Sequence, residues 1–229
     1  MDTTFSKPEA VIRVGTLFSG IGAAEHALER LNLKTKIVFA GDIDKHVKAS
    51  YFANYDLKSS AWHDDIQDFD ATTHLGKVDL VVGGSPCQSF SLVGKRAGLE
   101  DTRGTLFYHF ARVIDECRPK VFIYENVRGL LNHDQGRTWK VVQDVFADLG
   151  YSINHSMLNS RHYGIPQNRE RIFVVGFKKP KTEFSFPEPV PLQLTMSDLL
   201  EDTTESRYFL KSKGIKFEVQ LPELWTVDC

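Results

Sequence analysis

The sequence is poor in the features that mark disulfide-rich, zinc-binding and membrane proteins. Its 229 residues include only three cysteines, Cys87, Cys117 and Cys229, which are too few and too widely spaced for a disulfide framework or a zinc site. We therefore expect no bound metal. No apolar run approaches the roughly 20 residues needed to span a bilayer, and the polar start of the chain lacks the apolar stretch of a signal peptide. The expectation is a cytoplasmic protein that makes no contact with a membrane.

An excess of either charge is also missing. The formal net charge is -2 and the isoelectric point is about 6.4, so the chain has no global field that would hold a polyanion. Contact with a nucleic acid would have to come from a local basic face or from a partner. Residues 161–181 could supply such a face, because they include six Lys or Arg residues against one Glu.

The order of apolar and polar segments predicts an α/β fold. Strands are expected at residues 11–18, 37–40, 78–82 and 121–124, and helices at residues 23–33, 44–54, 105–117 and 138–149. This alternation favours a mostly parallel sheet with helices on both faces. Two further strands, at residues 151–158 and 172–177, are joined by a loop and are expected to pair antiparallel at the sheet edge.

The composition changes after Lys178, where four of the nine prolines fall within a dozen residues. We therefore predict one main domain over residues 1–180. Residues 181–229 are predicted to be a linker or wrapping arm and the start of an incomplete second region, with one short helical stretch at residues 196–201.

A glycine-rich turn, Phe18-Ser19-Gly20-Ile21-Gly22, lies between the first predicted strand and the first predicted helix. Glycines at such a place let a ligand approach backbone N–H groups at the positive end of a helix, although an ordinary tight turn explains them equally well. Asp42 follows the second strand, about 20 residues further on, where an acid in a nucleotide-binding fold accepts hydrogen bonds from ribose hydroxyls. Asp65 is either a second ligand-binding acid, for an adenine amino group, or a solvated loop residue.

Cys87 follows the buried strand at residues 78–82 and is expected in a loop at the carboxyl edge of the sheet. A single cysteine is more often a small buried hydrophobe, but the polar neighbours of Cys87 favour a nucleophile. Cys117, by contrast, ends an apolar helix and is predicted to be structural. Glu125 ends the next strand, at the same edge as Cys87. It could hydrogen-bond or protonate a heterocycle nitrogen while a thiolate attacks the ring, or it could simply cap the following turn.

Arg169 and Arg171 open the last predicted strand, so their side chains should point to the same side of it. Two guanidinium groups on one face could bind a base carbonyl and a carboxylate. Salt-bridged arginines of an edge strand are an equally good interpretation of the spacing.

Five stretches together resemble the cytosine-C5 DNA methyltransferase family in sequence, order and spacing. They are FSGIG at residues 18–22, GSPCQSFS at 84–91, RGTLF at 103–107, ENV at 125–127 and YGIPQNRERIFVVGF at 163–177. The resemblance covers about residues 11–180 and implies a Rossmann-like fold that binds S-adenosyl-L-methionine. It implies that the cofactor is bound by Phe18, Ser19, Gly20, Gly22, Asp42, Ile43, Asp65, Ile66, Pro86 and Leu106.

The same resemblance implies the catalytic roles. Cys87 would attack C6 of a cytosine that is flipped out of the duplex, and Glu125 would hold N3 and the exocyclic amine. Asn126 would support the loop of Cys87, while Arg171, accompanied by Arg169, would meet the cytosine O2. The implied function is methylation of cytosine at C5 in double-stranded DNA of specific sequence, in a bacterial or phage-encoded restriction-modification system.

The family's target-recognition region and its final conserved helix are not found in the sequence. A second polypeptide that carries them, or truncation of the chain, would explain this. Two other functions stay open: methylation of tRNA by the same residues, and a catalytically silent remnant or cofactor-binding module. A cysteine hydrolase would need a His base near Cys87, and none of the eight histidines lies in a suitable motif.

Overall fold

The computed structural model describes residues 11–86, 106–179, 182–203 and 205. They belong to two compact units, one up to Gln193 and one from Leu194 onward. The first unit contains seven strands: β1 (Ile12–Leu17), β2 (Thr35–Gly41), β3 (Trp62–His63), β4 (Leu80–Gly83), β5 (Val121–Val127), β6 (Ser152–Asn159) and β7 (Glu170–Phe177). Its helices are α1 (Ala23–Arg30), α2 (Lys45–Asn54), α3 (Leu106–Cys117), α4 (Gly129–Asn132) and α5 (Arg137–Asp148).

The strands form one sheet in the order β3-β2-β1-β4-β5-β7-β6. All neighbours from β3 to β5 are parallel, while β7 runs antiparallel to both β5 and β6. The prediction of an α/β fold with a mostly parallel sheet and an antiparallel hairpin is therefore confirmed. Within the hairpin it is β6 that forms the edge, because β7 pairs with β5.

The helices form where apolar residues recur at helical spacing and face the sheet. Helix α3 buries Phe107, Phe110, Val113 and Ile114, and its Phe110 lies 5.0 Å from Tyr124 of β5, measured between ring centroids. Phe146 of α5 joins the same aromatic cluster. Helix α2 begins at the N-cap Asp44, whose side chain accepts hydrogen bonds from two backbone N–H groups of the first turn. Within the described ranges, no helix has the length and apolar character needed to cross a membrane.

Two segments differ in detail from their predictions. The stretch expected to be helical from residue 196 is a short 3-10 turn, Met196–Leu199, which begins with a capping box between Thr195 and Asp198. The proline-rich segment has no regular structure, but it is attached to the first unit. The Val190 N–H donates to the His162 carbonyl (2.8 Å), and the Tyr163 hydroxyl donates to the Pro187 carbonyl (3.0 Å). The predicted domain boundary at residue 180 stays a prediction.

The parallel strands β1, β2, β3, β4 and β5 all end at the same edge of the sheet. The segments that follow them are the glycine turn at residues 18–22, Asp42, the acids at residues 64 and 65, the segment at residues 84–86, and α4. Ligand sites of parallel α/β folds form at this edge, because the loops that leave it converge there.

Candidate active site

The glycine turn has a backbone that few side chains tolerate. Phe18 and Gly20 have φ angles of 53° and 55°, and Gly22, the N-cap of α1, has a φ of 93°. A Cβ at Gly22 would also stand 2.1 Å from the ring of Tyr55. Residue 22 must therefore be glycine both for its backbone conformation and for space.

The turn is joined to the end of β2 by three hydrogen bonds. The Ser19 N–H donates to the Gly41 carbonyl (2.9 Å), and the Gly41 N–H donates to the Ser19 hydroxyl (2.9 Å). The Gly20 N–H donates to Oδ2 of Asp42 (3.1 Å). The glycine turn is thus a direct neighbour of Asp42, although the two lie about 20 residues apart in the sequence.

A cavity of about 240 Å³ opens beside this junction. Seven of the ten residues predicted to bind a cofactor line it: Phe18, Asp42, Ile43, Asp65, Ile66, Pro86 and Leu106. The other three, Ser19, Gly20 and Gly22, do not line the cavity and belong to the turn next to it. The mixture of apolar walls with three carboxylates suits a nucleoside, whose base packs against apolar groups and whose hydroxyls and amine donate hydrogen bonds.

The sequence analysis missed three further polar residues of the cavity wall, His63, Asp64 and Gln67. His63 and Asp64 lie at and directly after β3, which is only two residues long and has no periodic pattern in the sequence. Asp64 accepts hydrogen bonds from Lys48 Nζ (2.8 Å) and Trp62 Nε1 (2.9 Å), and these contacts lower the pKa of its carboxyl group.

His63 is an aromatic part of this wall. Its imidazole stacks on Phe69, with ring centroids 3.8 Å apart and planes 4° from parallel. Neither ring nitrogen has a hydrogen-bond partner among the residues that the structure describes. Burial lowers the pKa of His63 from 6.5 to about 4, so the ring is neutral near pH 7.

An arginine of α3 holds the loop on this side of the cavity. Arg112 donates to the carbonyls of Ile66 (2.6 Å) and Phe69 (2.7 Å) and pairs with Glu116 one turn later (2.9 Å). Glu116 in turn accepts from the Ala71 N–H (3.0 Å). The Asp65 and Ile66 segment is therefore tied to the body of α3.

The segment after β4 connects the cavity to Glu125. Cys87 lies outside the described residues, which end at Pro86 in this region. Asn126 is 2% exposed, and its side-chain amide donates to the Ser85 carbonyl (3.0 Å) and to the Tyr124 hydroxyl (2.8 Å). Asn126, which follows Glu125 in β5, thus holds the backbone at Ser85, two residues before Cys87 in the sequence.

Glu125 and the two arginines of β7 form one cluster. Arg171 Nε lies 3.0 Å from Glu125 Oε1, and Arg169 Nη2 lies 3.9 Å from the same oxygen. Glu170 points away and pairs with Arg128 (2.7 Å). The prediction that both arginines share one side of the strand is therefore confirmed. They line a second cavity, of about 290 Å³, together with Glu125, Leu158, Ser160, Tyr163 and Phe173.

Glu125 also touches the loop after β4. A Cβ on Gly84 would stand 2.6 Å from the Glu125 carbonyl oxygen and 2.9 Å from its Oε2. The side chain of Glu125 is 32% exposed, so the carboxylate has access to a ligand in the second cavity. Cys117, in contrast, is fully buried, and burial raises the pKa of its thiol to about 12. This burial agrees with the structural role predicted for Cys117.

Known proteins that resemble the chain include bacterial, phage and eukaryotic methyltransferases. The orphan methyltransferase M.SPRI of Bacillus phage SPR is 44% identical over 206 residues, which are 90% of this chain and 46% of that protein. The type II methyltransferase M.HpaII of Haemophilus parainfluenzae is 41% identical over 206 residues, covering 87% of this chain and 56% of that protein. The chain thus spans about half of the length of these relatives. The structure of the Entamoeba histolytica methyltransferase EhMeth has the same fold, with a TM-score of 0.69 at 20% identity, over 87% of this chain and 63% of that one.

The sequence profile of one family, described as C-5 cytosine-specific DNA methylase, matches residues 12–223. That range includes both cavities, the glycine turn, Glu125 and the two arginines of β7. The chain belongs to the C-5 cytosine-specific DNA methylase family.

Proposed function

We propose that the chain binds S-adenosyl-L-methionine in the first cavity and methylates cytosine at C5 in DNA. The observation that carries the proposal is the link between the two cavities. Pro86 lines the first cavity, Glu125 lines the second, and Asn126, next to Glu125, donates to the carbonyl of Ser85. Cys87 is the next residue in the sequence after Pro86, and we infer that its thiol acts between the cofactor and Glu125.

The first cavity fits this cofactor. Asp42 is placed to accept from ribose hydroxyls, Asp65 from the adenine amine, and Phe18, Ile43, Ile66 and Leu106 offer apolar surface to the base. The Asp65 Oδ1 already accepts from the Gln67 N–H (2.9 Å), which holds the carboxylate in place before a ligand arrives. When bound, S-adenosylmethionine supplies an electrophilic methyl group on a sulfonium.

The protein side chains make C5 of cytosine reactive. The Cys87 thiolate adds to C6, and the electron pair that this releases makes C5 nucleophilic. Glu125, acting as the acid, donates its proton to N3 and accepts a hydrogen bond from the exocyclic amine, which neutralises the charge that develops on the ring. After C5 has been alkylated, loss of its proton restores the double bond and expels Cys87 as a thiolate.

Arg171 and Arg169 orient the carboxylate for this task. Both guanidinium groups approach the same oxygen, Oε1 of Glu125, and so hold the carboxyl group in one orientation. We assign Arg171, whose side chain is 22% exposed against 50% for Arg169, to the cytosine O2 as well. Asn126 supports the loop that carries the nucleophile.

We assign double-stranded DNA as the substrate, with a restriction-modification role in the cytoplasm of a bacterium or in a phage-infected cell. The relatives M.SPRI and M.HpaII, from a phage and a bacterium, support this assignment. Choice of a target sequence belongs to the same proposal. A second polypeptide has no support from the comparisons and stays a prediction, which the assay below tests.

The test is transfer of a labelled methyl group to unmethylated duplex DNA, by this chain alone and with the product of an adjacent reading frame. We expect the unaltered chain to transfer the methyl group. Cys87→Ser and Glu125→Gln should abolish this transfer, and Cys117→Ala should leave it intact. A duplex with 5-fluorocytosine should trap a covalent complex, because fluorine cannot leave C5 as a proton does. Transfer to tRNA but not to DNA would replace the proposed substrate. Absence of both transfer and cofactor binding would identify a silent remnant.

A further inference from the structure

A chain of hydrogen bonds runs beneath the glycine turn and ends on a buried acid. Glu25, in the first turn of α1, is 4% exposed, and its Oε1 accepts from the Thr16 hydroxyl (2.6 Å) and from the Tyr51 hydroxyl (2.7 Å). The Thr16 and Ser19 hydroxyl oxygens lie 2.9 Å apart, and the Ser19 hydroxyl accepts from the Gly41 N–H. None of these contacts involves a residue of the cavity wall except Gly41.

The direction of every bond in this chain can be assigned. A hydroxyl has one proton, and Thr16 gives its proton to Glu25, so the bond between Thr16 and Ser19 must be donated by Ser19. The Gly41 N–H donates to Ser19, Ser19 to Thr16, and Thr16 to Glu25. Bonds aligned in this way polarise and strengthen one another, and they all depend on an acceptor at the end.

Glu25 is suited to be that acceptor. It lies in the first turn of α1, where the helix dipole favours a negative charge. No cationic side chain pairs with it among the described residues, and its Oε2 has no partner there. Its remaining stabilisation comes from the hydroxyls of Thr16 and Tyr51. Burial and the neighbouring Glu25 carboxylate raise the pKa of Tyr51, which keeps that hydroxyl a donor.

We propose that Glu25, acting through Thr16 and Ser19, is a positioning residue that sets the glycine turn against the end of β2 for cofactor binding. The bond to Thr16 fixes the rotamer in which the Ser19 hydroxyl accepts from the Gly41 N–H and so bridges the turn and β2. Gly41 and Asp42 line the cavity, and the Gly20 N–H donates to Asp42. A change at the buried end of the chain therefore moves the acid that is assigned to the ribose. This inference rests on the proposed cofactor.

The variants are chosen to separate positioning from general stability. Thr16→Val keeps the shape of the side chain and removes the link between Ser19 and Glu25, while Thr16→Ser keeps the hydroxyl. Tyr51→Phe is the comparison variant: it removes the other donor to Glu25, in an equally buried place, and keeps the hydroxyls of Thr16 and Ser19. Glu25→Gln keeps an acceptor and removes the charge.

Two measurements are made on each variant: equilibrium binding of S-adenosylmethionine by calorimetry, and amide hydrogen exchange at Ser19, Gly20 and Gly41 in the free protein. For Thr16→Val we expect about tenfold weaker binding and about tenfold faster exchange at these amides, with recovery to about twofold in Thr16→Ser. Tyr51→Phe should lose thermal stability while its affinity falls by no more than about threefold. Glu25→Gln, which keeps an acceptor for Thr16, should fall between Thr16→Ser and Thr16→Val in both measurements.

Two results would overturn the inference. One is unchanged binding and exchange in Thr16→Val. The other is that affinity and thermal stability fall together, in the same ratio, in Tyr51→Phe and in Thr16→Val. The loss of binding would then follow from general destabilisation. If the unaltered chain does not bind S-adenosylmethionine, the proposed cofactor is wrong. The amide exchange rates at Ser19, Gly20 and Gly41 then still test whether Glu25 positions the glycine turn.

Discussion

At the scale of single residues, the site depends on close contacts that leave no room for an extra atom. Gly84 is the sharpest case, because it lies against both the carbonyl and the carboxylate of Glu125. The backbone at this point must approach Glu125 closely for Ser85 and Pro86 to reach their places in the site.

Gly84→Ala should displace Glu125 and lower the rate of methyl transfer by about 100-fold, since small misplacements of a reacting group have effects of this size. Binding of S-adenosylmethionine should change much less, because neither residue lines the first cavity. Single-turnover transfer and calorimetry measure the two effects. Gly129→Ala is the control: its Cβ would meet only Val127 Cγ2, at 3.8 Å. Equal rates for the two variants would contradict the prediction.

His63 makes the stability of the folded chain depend on pH. The pKa of its imidazole is about 4 in the folded protein, against an ordinary value of 6.5. Below pH 6.5 the unfolded chain therefore takes up a proton that the folded chain does not. The contribution of His63 to the free energy of unfolding is therefore complete above pH 6.5 and is lost as the pH falls toward 4.

His63→Phe, which retains an aromatic ring against Phe69, should flatten the fall in unfolding free energy between pH 7 and pH 4 by about 2–3 kcal/mol. Urea unfolding at several pH values measures this slope. His26→Gln removes a histidine whose side chain is 65% exposed and should leave the slope as it is. Parallel pH profiles for the unaltered chain and His63→Phe would contradict the prediction, because they would show that the imidazole has the same pKa in the folded and unfolded states.

At the scale of elements, the cavity is assembled by contacts between a helix and the loop of a neighbouring strand. Arg112 and Glu116 of α3 bind three backbone groups of the segment from Ile66 to Ala71 and form an ion pair with each other. The loop itself has no ladder of hydrogen bonds, so its position depends on α3.

Arg112→Met keeps the aliphatic stem and removes the donors to Ile66 and Phe69. We expect the free energy of unfolding to fall by about 2–3 kcal/mol, since the lost bonds come from a charged group and leave carbonyls unpaired. Cofactor affinity should fall as well, because Ile66 and Asp65 line the cavity. Arg118→Met, at a side chain that is 61% exposed, should change stability by less than about 0.5 kcal/mol. Unaltered affinity in a folded Arg112→Met would contradict the assignment.

At the scale of the whole molecule, the question is where the first unit ends. Residues after the predicted boundary at residue 180 contact this unit: Phe184 packs on Phe177 with ring centroids 5.4 Å apart, and residues 187 and 190 are hydrogen-bonded to the segment before β7.

A chain that ends at Gln193 should therefore unfold at nearly the temperature of the 229-residue chain, while one that ends at residue 180 should unfold about 5 °C lower, because it loses two hydrogen bonds and an aromatic contact. Calorimetry of both fragments tests this. Equal melting temperatures for the fragments would place the boundary at residue 180, as the sequence predicts.

Local pattern was enough to predict much of this protein. The alternation of strands and helices follows from apolar spacing, and the edge shared by the glycine turn, Asp42 and Glu125 follows from the parallel direction of their strands. Arg169 and Arg171 could be assigned to one side, because side chains in a strand alternate. These features depend on neighbours in the chain or on general rules for parallel sheets.

Tertiary structure alone determined the remaining features. The insertion of β7 between β5 and β6 brings Arg171 opposite Val127, two residues from Glu125, and no local pattern contains that register. Strand β3 is too short for a period, so His63 and Asp64 were not recognised. Glu25 has the position of an ordinary acid in a first helical turn, and only packing shows that it is buried. In each case the deciding contacts join residues that are far apart in the sequence, where burial and hydrogen bonding depend on the whole fold.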